Sequence, residues 1–319
     1  MKMQTAWIDR NQLLEVGADF NNPELVGVVA VSRTGSIVLQ SPLVSFWVVA
    51  RGSADLEARE GRFHLRAGEW VVLEPDSRPS VYAERGSLIL GVTLSQAMRP
   101  RIKQFTHLDL HTGRGELGRG ELRQCLRLWR QTGLFGKSGR VYASDEVNPL
   151  VPLLRHICNV QYDFRRMIDH CPGRSMRRKS QVFDRMQRAR LFLEGNVDRN
   201  VRLAELAELS NVSTWYFTKI FHALYGEGPQ AMAARLRLGR AARLLAETML
   251  SVSEIGAVCG FENNCSFSRA FRERYGTPPS LYRLEAKGGG GKAGDASGVT
   301  PDSAQSRGSD GKAVLAFGT

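Results

Sequence analysis

The sequence lacks the features of a membrane or secreted protein. No stretch of its 319 residues approaches the roughly 20 consecutive apolar residues of a membrane-spanning helix. The first ten residues, MKMQTAWIDR, lack the apolar run of a signal peptide. The five cysteines form neither a CxxC pair nor a metal-binding spacing, which is typical of reduced thiols. We therefore expect a cytoplasmic chain that does not contact a membrane.

Acidic residues are in the minority, and the imbalance is concentrated in one part of the chain. The formal net charge is +12, and residues 172–287 hold 19 Lys and Arg against 11 Asp and Glu. A basic domain favours a polyanionic partner, of which nucleic acid is the commonest. The alternative is a basic surface that only keeps the protein in solution. Hydrophobic residues make up 42% of the sequence, which excludes a disordered chain overall.

Short apolar segments separated by glycines characterise the N-terminal third. They cover residues 46–49, 54–58, 63–65, 70–73 and 88–92. The glycines between them supply turn conformations, and the pattern predicts a small all-β barrel over residues 1–112. The run from Phe46 to Pro75, with Ala67-Gly68-Glu69 inside it, resembles a cupin-type barrel. That resemblance implies a domain that binds an effector.

Histidine is scarce, with six residues in the chain. A metal-dependent cupin needs several histidines and a glutamate on inward strand positions. Only His64 falls within the predicted strands, and it points away from its neighbours Phe63 and Leu65. His107 and His111 are four residues apart but have no third ligand nearby. We therefore predict no catalytic residue, no metal and no cofactor.

Residues 113–171 are predicted to form a helical hairpin. Gly113, Gly115 and Gly118 fit a flexible interdomain turn better than a nucleotide site, because no βαβ unit follows them. Apolar residues then recur at steps of three and four, in the set Leu150, Leu153, Ile157, Val160, Phe164 and Met167. This seam on a single helix predicts a homodimer. The alternative is an antiparallel hairpin within one chain, with the seam as its private core.

Residues 172–181 are predicted to be a basic linker. Arg174, Arg177, Arg178 and Lys179 either touch DNA phosphates or form a solvated tether. Residues 287–319 are rich in Gly, Ser and Asp and are predicted to be a disordered tail.

One pattern occurs twice within residues 203–279. The matching pairs are Phe217 and Phe267, Thr218 and Ser268, Lys219 and Arg269, Phe221 and Phe271, Tyr225 and Tyr275, Gly226 and Gly276, and Pro229 and Pro279. Apolar, basic, glycine and proline positions agree at one offset of fifty residues, which indicates an internal duplication.

Each copy has the pattern of a helix-turn-helix unit. After a leading helix at 182–193, the predicted helices cover residues 203–209, 213–225, 231–245 and 263–275. A further short helix is predicted to begin at the capping box at residues 251–254 and to end before the turn at Cys259. Ser213 is the expected cap of the first recognition helix. Val252, Ile255 and Val258 are expected to face the core of the second unit. The helix at 231–245 joins the units and fixes the distance between them.

The residues of this region also match a known family. The matching residues are Ser213, Phe217, Phe221, Gly226, Pro229, Arg237, Leu238, Ala241, Leu244, Leu245, Val252, Ser253, Glu254, Ile255, Gly256, Val258, Gly260, Phe261, Ser266, Phe267, Ser268, Arg269, Phe271, Tyr275, Gly276, Pro279, Tyr282 and Arg283. They resemble the AraC/XylS family of bacterial transcription regulators, over about a hundred residues. The family usually has alanine where Gly256 stands.

This resemblance implies an α+β protein of two domains: a cupin-like β-barrel with a helical hairpin, then an all-α DNA-binding domain at 182–286. One chain would place recognition helices 213–225 and 263–275 in successive major grooves, about 34 Å apart. The residues expected to face the bases are Trp215, Thr218, Lys219, Asn264, Cys265, Ser268 and Arg269. Those expected at phosphates are Ser213, Thr214, Asn263 and Arg272.

Side-chain chemistry gives these residues distinct roles. Lys219 and Arg269 can donate to guanine, and Asn264 can pair with adenine. Trp215 and Thr218 can contact thymine methyl groups. The alternative for Trp215 is packing against the linker helix.

The predicted function is a sequence-specific transcriptional regulator and not an enzyme. Its expected partners are double-stranded DNA, a second copy of the chain and a small-molecule effector, with RNA polymerase added if it is an activator. The alternatives are an architectural DNA binder without sequence preference, or a cupin-type ligand-binding protein or enzyme. Binding that collapses with salt and has no preferred site would mark the first alternative.

Overall fold

The computed structural model describes residues 2–17, 25–137 and 150–288. The strands are β1 (Lys2–Ile8), β2 (Leu13–Val16), β3 (Leu25–Ser32), β4 (Ser36–Leu39), β5 (Leu43–Arg51), β6 (Ser53–Ala58), β7 (Gly61–Arg66), β8 (Glu69–Leu73), β9 (Ser80–Ala83), β10 (Leu88–Ser95) and β11 (Gly113–Glu116). The helices are α1 (Met98–Thr106), α2 (Arg119–Lys137), α3 (Leu150–Asn159), α4 (Tyr162–Asp169), α5 (Met176–Gly195), α6 (Leu203–Leu209), α7 (Thr214–Tyr225), α8 (Pro229–Glu247), α9 (Val252–Val258), α10 (Asn264–Tyr275) and α11 (Pro279–Gly288). The predicted tail, apart from its first two residues, lies outside the described residues.

The N-terminal strands form a β-domain of two sheets. One sheet has the order β1-β3-β10-β5-β8-β11, and the other has the order β2-β4-β9-β6-β7. Their inner faces share one apolar core, which confirms a sheet-rich N-terminal domain and is consistent with a cupin-like fold. Trp47 fills the middle of this core so closely that a Cβ at Gly91 would lie 2.3 Å from its ring.

The outer face of the larger sheet is covered by helices from α1 to α5. The residues predicted to form a dimer seam belong to this core. Leu150, Leu153, Ile157 and Phe164 are buried within one chain, and Val160 and Met167 are half-buried. The expected single helix is wrong, because α3 ends at Asn159 and α4 begins at Tyr162. The structure thus places the seam as the private core of one chain, and its role in dimerisation stays a prediction.

The expected flexible turn at residues 113–118 is also wrong. Gly113 to Glu116 form β11, which pairs antiparallel with β8. A Cβ at Gly115 would lie 2.7 Å from the ring of Trp70, and one at Gly113 would meet Phe164 at the same distance. These glycines therefore allow a strand to lie close against aromatic rings.

Helix α5 connects the β-domain to the C-terminal helices. It begins at Met176, within the segment expected to be a linker. Its apolar side enters three cores: Phe183 packs with the helices over the larger sheet, Leu191 joins the core between the sheets, and Met186 joins the first helix-turn-helix unit. The helix therefore holds these three parts of the chain together.

Three further contacts join the β-domain to the helical region. Gly61, the first residue of β7, lies against Gly195 at the end of α5, where an added Cβ at Gly61 would lie 2.2 Å from the Gly195 carbonyl oxygen. The Asn196 side chain donates to the Glu60 carbonyl at 2.7 Å. Arg66 on β7 forms a 2.8 Å ion pair with Glu247 at the end of α8.

The C-terminal region contains two small cores, one for each repeated unit. The first includes Phe217, Ile220 and Phe221, and the second includes Ile255, Phe267 and Phe271. Among the described residues, we find no helix with the length and apolarity to cross a membrane.

Candidate nucleic-acid interface

The two recognition helices, α7 and α10, are built on the same ladder of aromatic rings. In α7 the ring centroids of Phe217 and Phe221 are 5.3 Å apart, and those of Phe221 and Tyr225 are 4.5 Å apart. In α10 the corresponding distances are 5.7 Å and 4.6 Å. Rings four residues apart lie on one face of a helix. The opposite face of each helix is therefore left for solvent or a partner.

Both helices also begin and end in the same way. A side-chain oxygen of Ser213 accepts from the Tyr216 N–H, and Asn263 does the same for Ser266. Gly226 and Gly276 end the helices with φ of 72° and 77°, a left-handed conformation that favours glycine. The predicted duplication is thus present in the caps as well as in the cores.

The first helices of the two units, α6 and α9, have the predicted boundaries. One predicted core residue of α9 is wrong, because Val258 is 41% exposed and the adjacent Cys259 is fully buried. Gly256 faces the ring of Phe267, and a Cβ there would lie 3.1 Å from Cδ1. Glycine therefore avoids crowding at this crossing, at a helix-propensity cost of about 1 kcal/mol relative to alanine.

Helix α8 is a continuous spacer that belongs to both cores. Met232 packs in the first unit, and Leu238 and Leu245 pack in the second. Two of its arginines hold the end of α9 and the turn that follows: Arg237 donates to the Gly260 carbonyl at 3.0 Å, and Arg240 donates to the Val258 carbonyl at 3.2 Å. The spacer is thus fastened to the second unit by packing and by hydrogen bonds.

The two units also touch each other directly. Gly260, in the turn before α10, has φ of 72°, and an added Cβ would lie 2.9 Å from Cα of Arg199. Arg199 lies in the loop that leads into the first unit. This backbone contact and the spacer together fix the orientation of one unit relative to the other.

The residues predicted to bind DNA in the first unit lie on the exposed side of α7. Trp215 is 69% exposed, so it does not pack against the linker helix. The Lys219 ammonium lies 5.1 Å from the centroid of the Trp215 ring. Thr218 is half-buried and donates to the Thr214 carbonyl at 2.8 Å, while Ser213 and Thr214 are exposed at the helix start.

The predicted residues of the second unit occupy the matching side of α10. Asn264, Cys265 and Arg269 are exposed, and Ser268 is half-buried. Ser268, Arg269 and Arg272 line a shallow cleft beside the helix. The predicted phosphate ligands Asn263 and Arg272 are exposed as well. The structure therefore brings the predicted residues of each unit together on one helix face.

A second cleft contains residues that the sequence pattern did not single out. It lies between α5 and the start of α7, and Tyr216 and Arg185 are among its lining residues. The pattern treated the residues after 182 only as a leading helix. The contact between that helix and α7 joins residues that are about thirty positions apart in the sequence, so no local pattern predicts it.

Cys265 gives a direct probe of the α10 surface. Burial raises the pKa of the Cys125 and Cys158 thiols to about 12, and that of Cys171 and Cys259 to about 11. Buried thiols are inert, whereas an exposed one reacts. We expect one fast thiol per chain with Ellman's reagent at pH 8, lost in Cys265→Ser and slowed by duplex DNA. A second fast thiol, or no protection by bound DNA, would contradict this surface assignment.

The C-terminal region matches known proteins. Residues 206–285 match the family described as a helix-turn-helix domain. The HTH-type transcriptional activator AarP of Providencia stuartii is 31% identical over 98 residues, which are 31% of this chain and 73% of AarP. The probable transcriptional regulator LumQ of Photobacterium leiognathi is 30% identical over 116 residues, which are 34% of this chain and 47% of LumQ. The chain thus spans about half the length of LumQ.

Among solved structures, the chain is similar to a transcriptional regulator of Chromobacterium violaceum described as having an AraC-type DNA-binding domain. The two are 27% identical, the match covers 33% of this chain and 95% of that one, and the TM-score is 0.32.

Proposed function

The chain belongs to the AraC-type family of helix-turn-helix, DNA-binding transcriptional regulators, and we propose that it recognises a specific DNA sequence with two recognition helices. Helix α7 would read one major groove and α10 the next groove on the same side of the duplex. The observation that carries this proposal is the pair of matching units held in a fixed orientation by α8 and by the contact between Gly260 and Arg199.

The dimensions support reading of two grooves by one chain. Helix α8 has 19 residues, and at 1.5 Å per residue it is about 28 Å long. Successive major grooves on one side of a duplex are about 34 Å apart. Because α8 packs into both cores, it can hold the two recognition helices rigidly at a separation close to the spacing of the grooves.

The exposed residues supply the chemistry of base recognition. Arg269 can donate two hydrogen bonds to the O6 and N7 atoms of guanine, and Lys219 can donate to the same atoms. Asn264 can pair with the N6 and N7 atoms of adenine. Trp215 offers an apolar surface to thymine methyl groups. Phosphate contacts at the helix starts, from Thr214 and Asn263, would set the register without reading sequence.

Further properties of the regulator are proposed with it. AarP is named as an activator, which supports activation and contact with RNA polymerase. The protein would act in the cytoplasm, where its DNA is. We also retain a homodimer and a small-molecule effector as proposals. The half-buried seam residues Val160 and Met167 are the part of the predicted dimer seam that a second copy could reach. An effector would have to displace the packed core around Trp47 or bind outside it.

Substitution of Lys219 and Arg269, the two basic residues proposed to contact bases, tests the proposal. The duplex is one selected by the full chain from a randomised pool. We expect Lys219→Ala and Arg269→Ala each to weaken its binding by roughly 1–3 kcal/mol and to relax sequence preference at the bases they contact. Gel-shift titration and repeated selection with each variant measure affinity and preference.

The control is Arg62→Ala, which removes the same charge from an exposed position on β7. We expect it to retain the affinity and preference of the parent protein. If both reader variants select the parent sequence with unchanged affinity, base reading by these residues is wrong. Selection of no sequence by the parent protein would favour the architectural binder instead.

A further inference from the structure

Helix α5 lies beside the beginning of the first recognition helix. The cleft between them is lined by Arg178, Gln181 and Arg185 from α5, and by Val212 and Tyr216 from the first unit. Tyr216 is the residue whose backbone N–H is capped by Ser213. The α5 arginines therefore border the end of α7 at which phosphate contacts are expected.

These arginines form a stripe along α5. Arg178, Gln181 and Arg185 follow one another at steps of three and four, which places them on one side of the helix, and Arg174 precedes the helix start. Arg174, Arg178 and Arg185 are exposed. Within the described part of the chain, none of these three side chains has an ion-pair or hydrogen-bond partner.

The arginines of α8, the helix that leads into the second unit, are used differently. Arg235 pairs with Glu227 at 2.9 Å, and Arg237 and Arg240 donate to backbone carbonyls near the end of α9. These three guanidinium groups thus have partners within the protein, while Arg243, the fourth arginine of α8, is exposed. Among the described residues, Arg178 and Arg185 of α5 thus combine exposure, lack of a protein partner and a position beside the first recognition helix.

We propose that Arg178 and Arg185 bind DNA phosphates that flank the groove read by α7, so that α5 is a third DNA contact. Neighbouring guanidinium groups repel one another, and a row of phosphates neutralises that repulsion and releases counterions. The contact rests on the proposed function, because α7 must lie against DNA. Phosphate contacts position a protein without reading bases, so α5 adds affinity and orientation but no sequence preference.

Salt dependence separates this contact from base reading. The full chain is titrated by fluorescence anisotropy against two duplexes, the selected sequence and a 40-base-pair random pool, between 50 and 200 mM salt. Each lost phosphate contact lowers the slope of log K against log salt by about 0.9. The double variant Arg178→Gln/Arg185→Gln should therefore lose about 1.8 from the slope. The parent protein should lose about tenfold more affinity than this variant over that salt range.

Three comparisons make the result decisive. Arg62→Gln removes the same charge from an exposed position on β7, away from the cleft, and we expect its slope to differ from the parent value by less than half of the roughly 0.9 expected for one phosphate contact. Arg178→Lys/Arg185→Lys keeps the charge and should keep the slope. An unchanged slope in the glutamine double variant, with a parental melting temperature, would overturn the proposal. If the parent protein binds the selected duplex and the random pool equally well, base reading is wrong. The salt slope on the random pool still tests the α5 contact in that case, because phosphate contacts do not depend on sequence.

Discussion

Replacement of Phe271 by alanine is expected to destabilise the second helix-turn-helix unit by about 3–5 kcal/mol. Phe271 is fully buried, and its ring contacts Phe267, Tyr275 and Tyr282 at centroid distances of 5.7, 4.6 and 5.3 Å. The core around it is small, with eight buried residues. A loss of this size is comparable to the total stability of a small domain, so we expect the unit to unfold while the β-domain stays folded.

Urea unfolding followed by circular dichroism, together with amide hydrogen exchange of α9 and α10, measures this effect. The control is Tyr162→Ala on α4, which removes a ring that is 56% exposed and should cost little. Sequence preference should shrink to the half of the selected site read by α7. A loss below 1 kcal/mol, or retained preference for both halves in a chain with α10 unfolded, would contradict the separate reading role of this unit.

Substitution of Gly239 tests the spacer helix without disturbing either core. Apart from its chain neighbours and the surrounding backbone of α8 itself, no atom lies within 4 Å of a Cβ built at this position in the middle of the helix. Proline would remove a backbone donor and press its ring against the Arg235 carbonyl, which costs about 3 kcal/mol or more in a helix. We expect Gly239→Pro to bend α8 and to weaken binding of the selected duplex. We also expect this variant to bind a duplex with one altered half-site as tightly as it binds the selected duplex.

The matched control at the same position is Gly239→Ala. Alanine fits the open space and should stabilise the protein by about 0.5–1 kcal/mol, because it restricts the unfolded chain and favours the helix. Thermal unfolding and anisotropy titration on half-altered duplexes measure both variants. Parental discrimination between the half-altered duplexes by the proline variant would show that recognition of two grooves does not need a rigid spacer.

Local sequence patterns predicted the helical units well, because the signals lie within a few residues. Ser213 and Asn263 cap the recognition helices, Gly226 and Gly276 end them, and the aromatic spacing of four places the rings on one face. The predicted strands at 46–49, 54–58, 63–65, 70–73 and 88–92 each fall within an observed strand. Caps, turns and periodicity are properties of the local chain.

The errors lie where a distant part of the chain decides the outcome. The apolar stripe from Leu150 to Met167 could be covered by a partner or by its own chain, and the outer face of the larger sheet covers it. Gly115 forms a strand because β8 offers an edge to pair with. Val258, predicted to face the core, is 41% exposed, and Cys259 beside it lies in the core of the second unit. Periodicity shows that a face is apolar but does not identify what packs on it.

The position of Leu191 determines where the chain can be divided. This leucine comes from the leading helix of the DNA-reading region, yet it is buried in the core between the two sheets. A fragment that ends before α5 would have a hole there the size of one leucine side chain. A fragment that begins at α5 would expose that side chain to water. Neither fragment therefore has a complete core. Because α5 packs in both regions, a conformational change in the sheets is transmitted through this helix to the first helix-turn-helix unit.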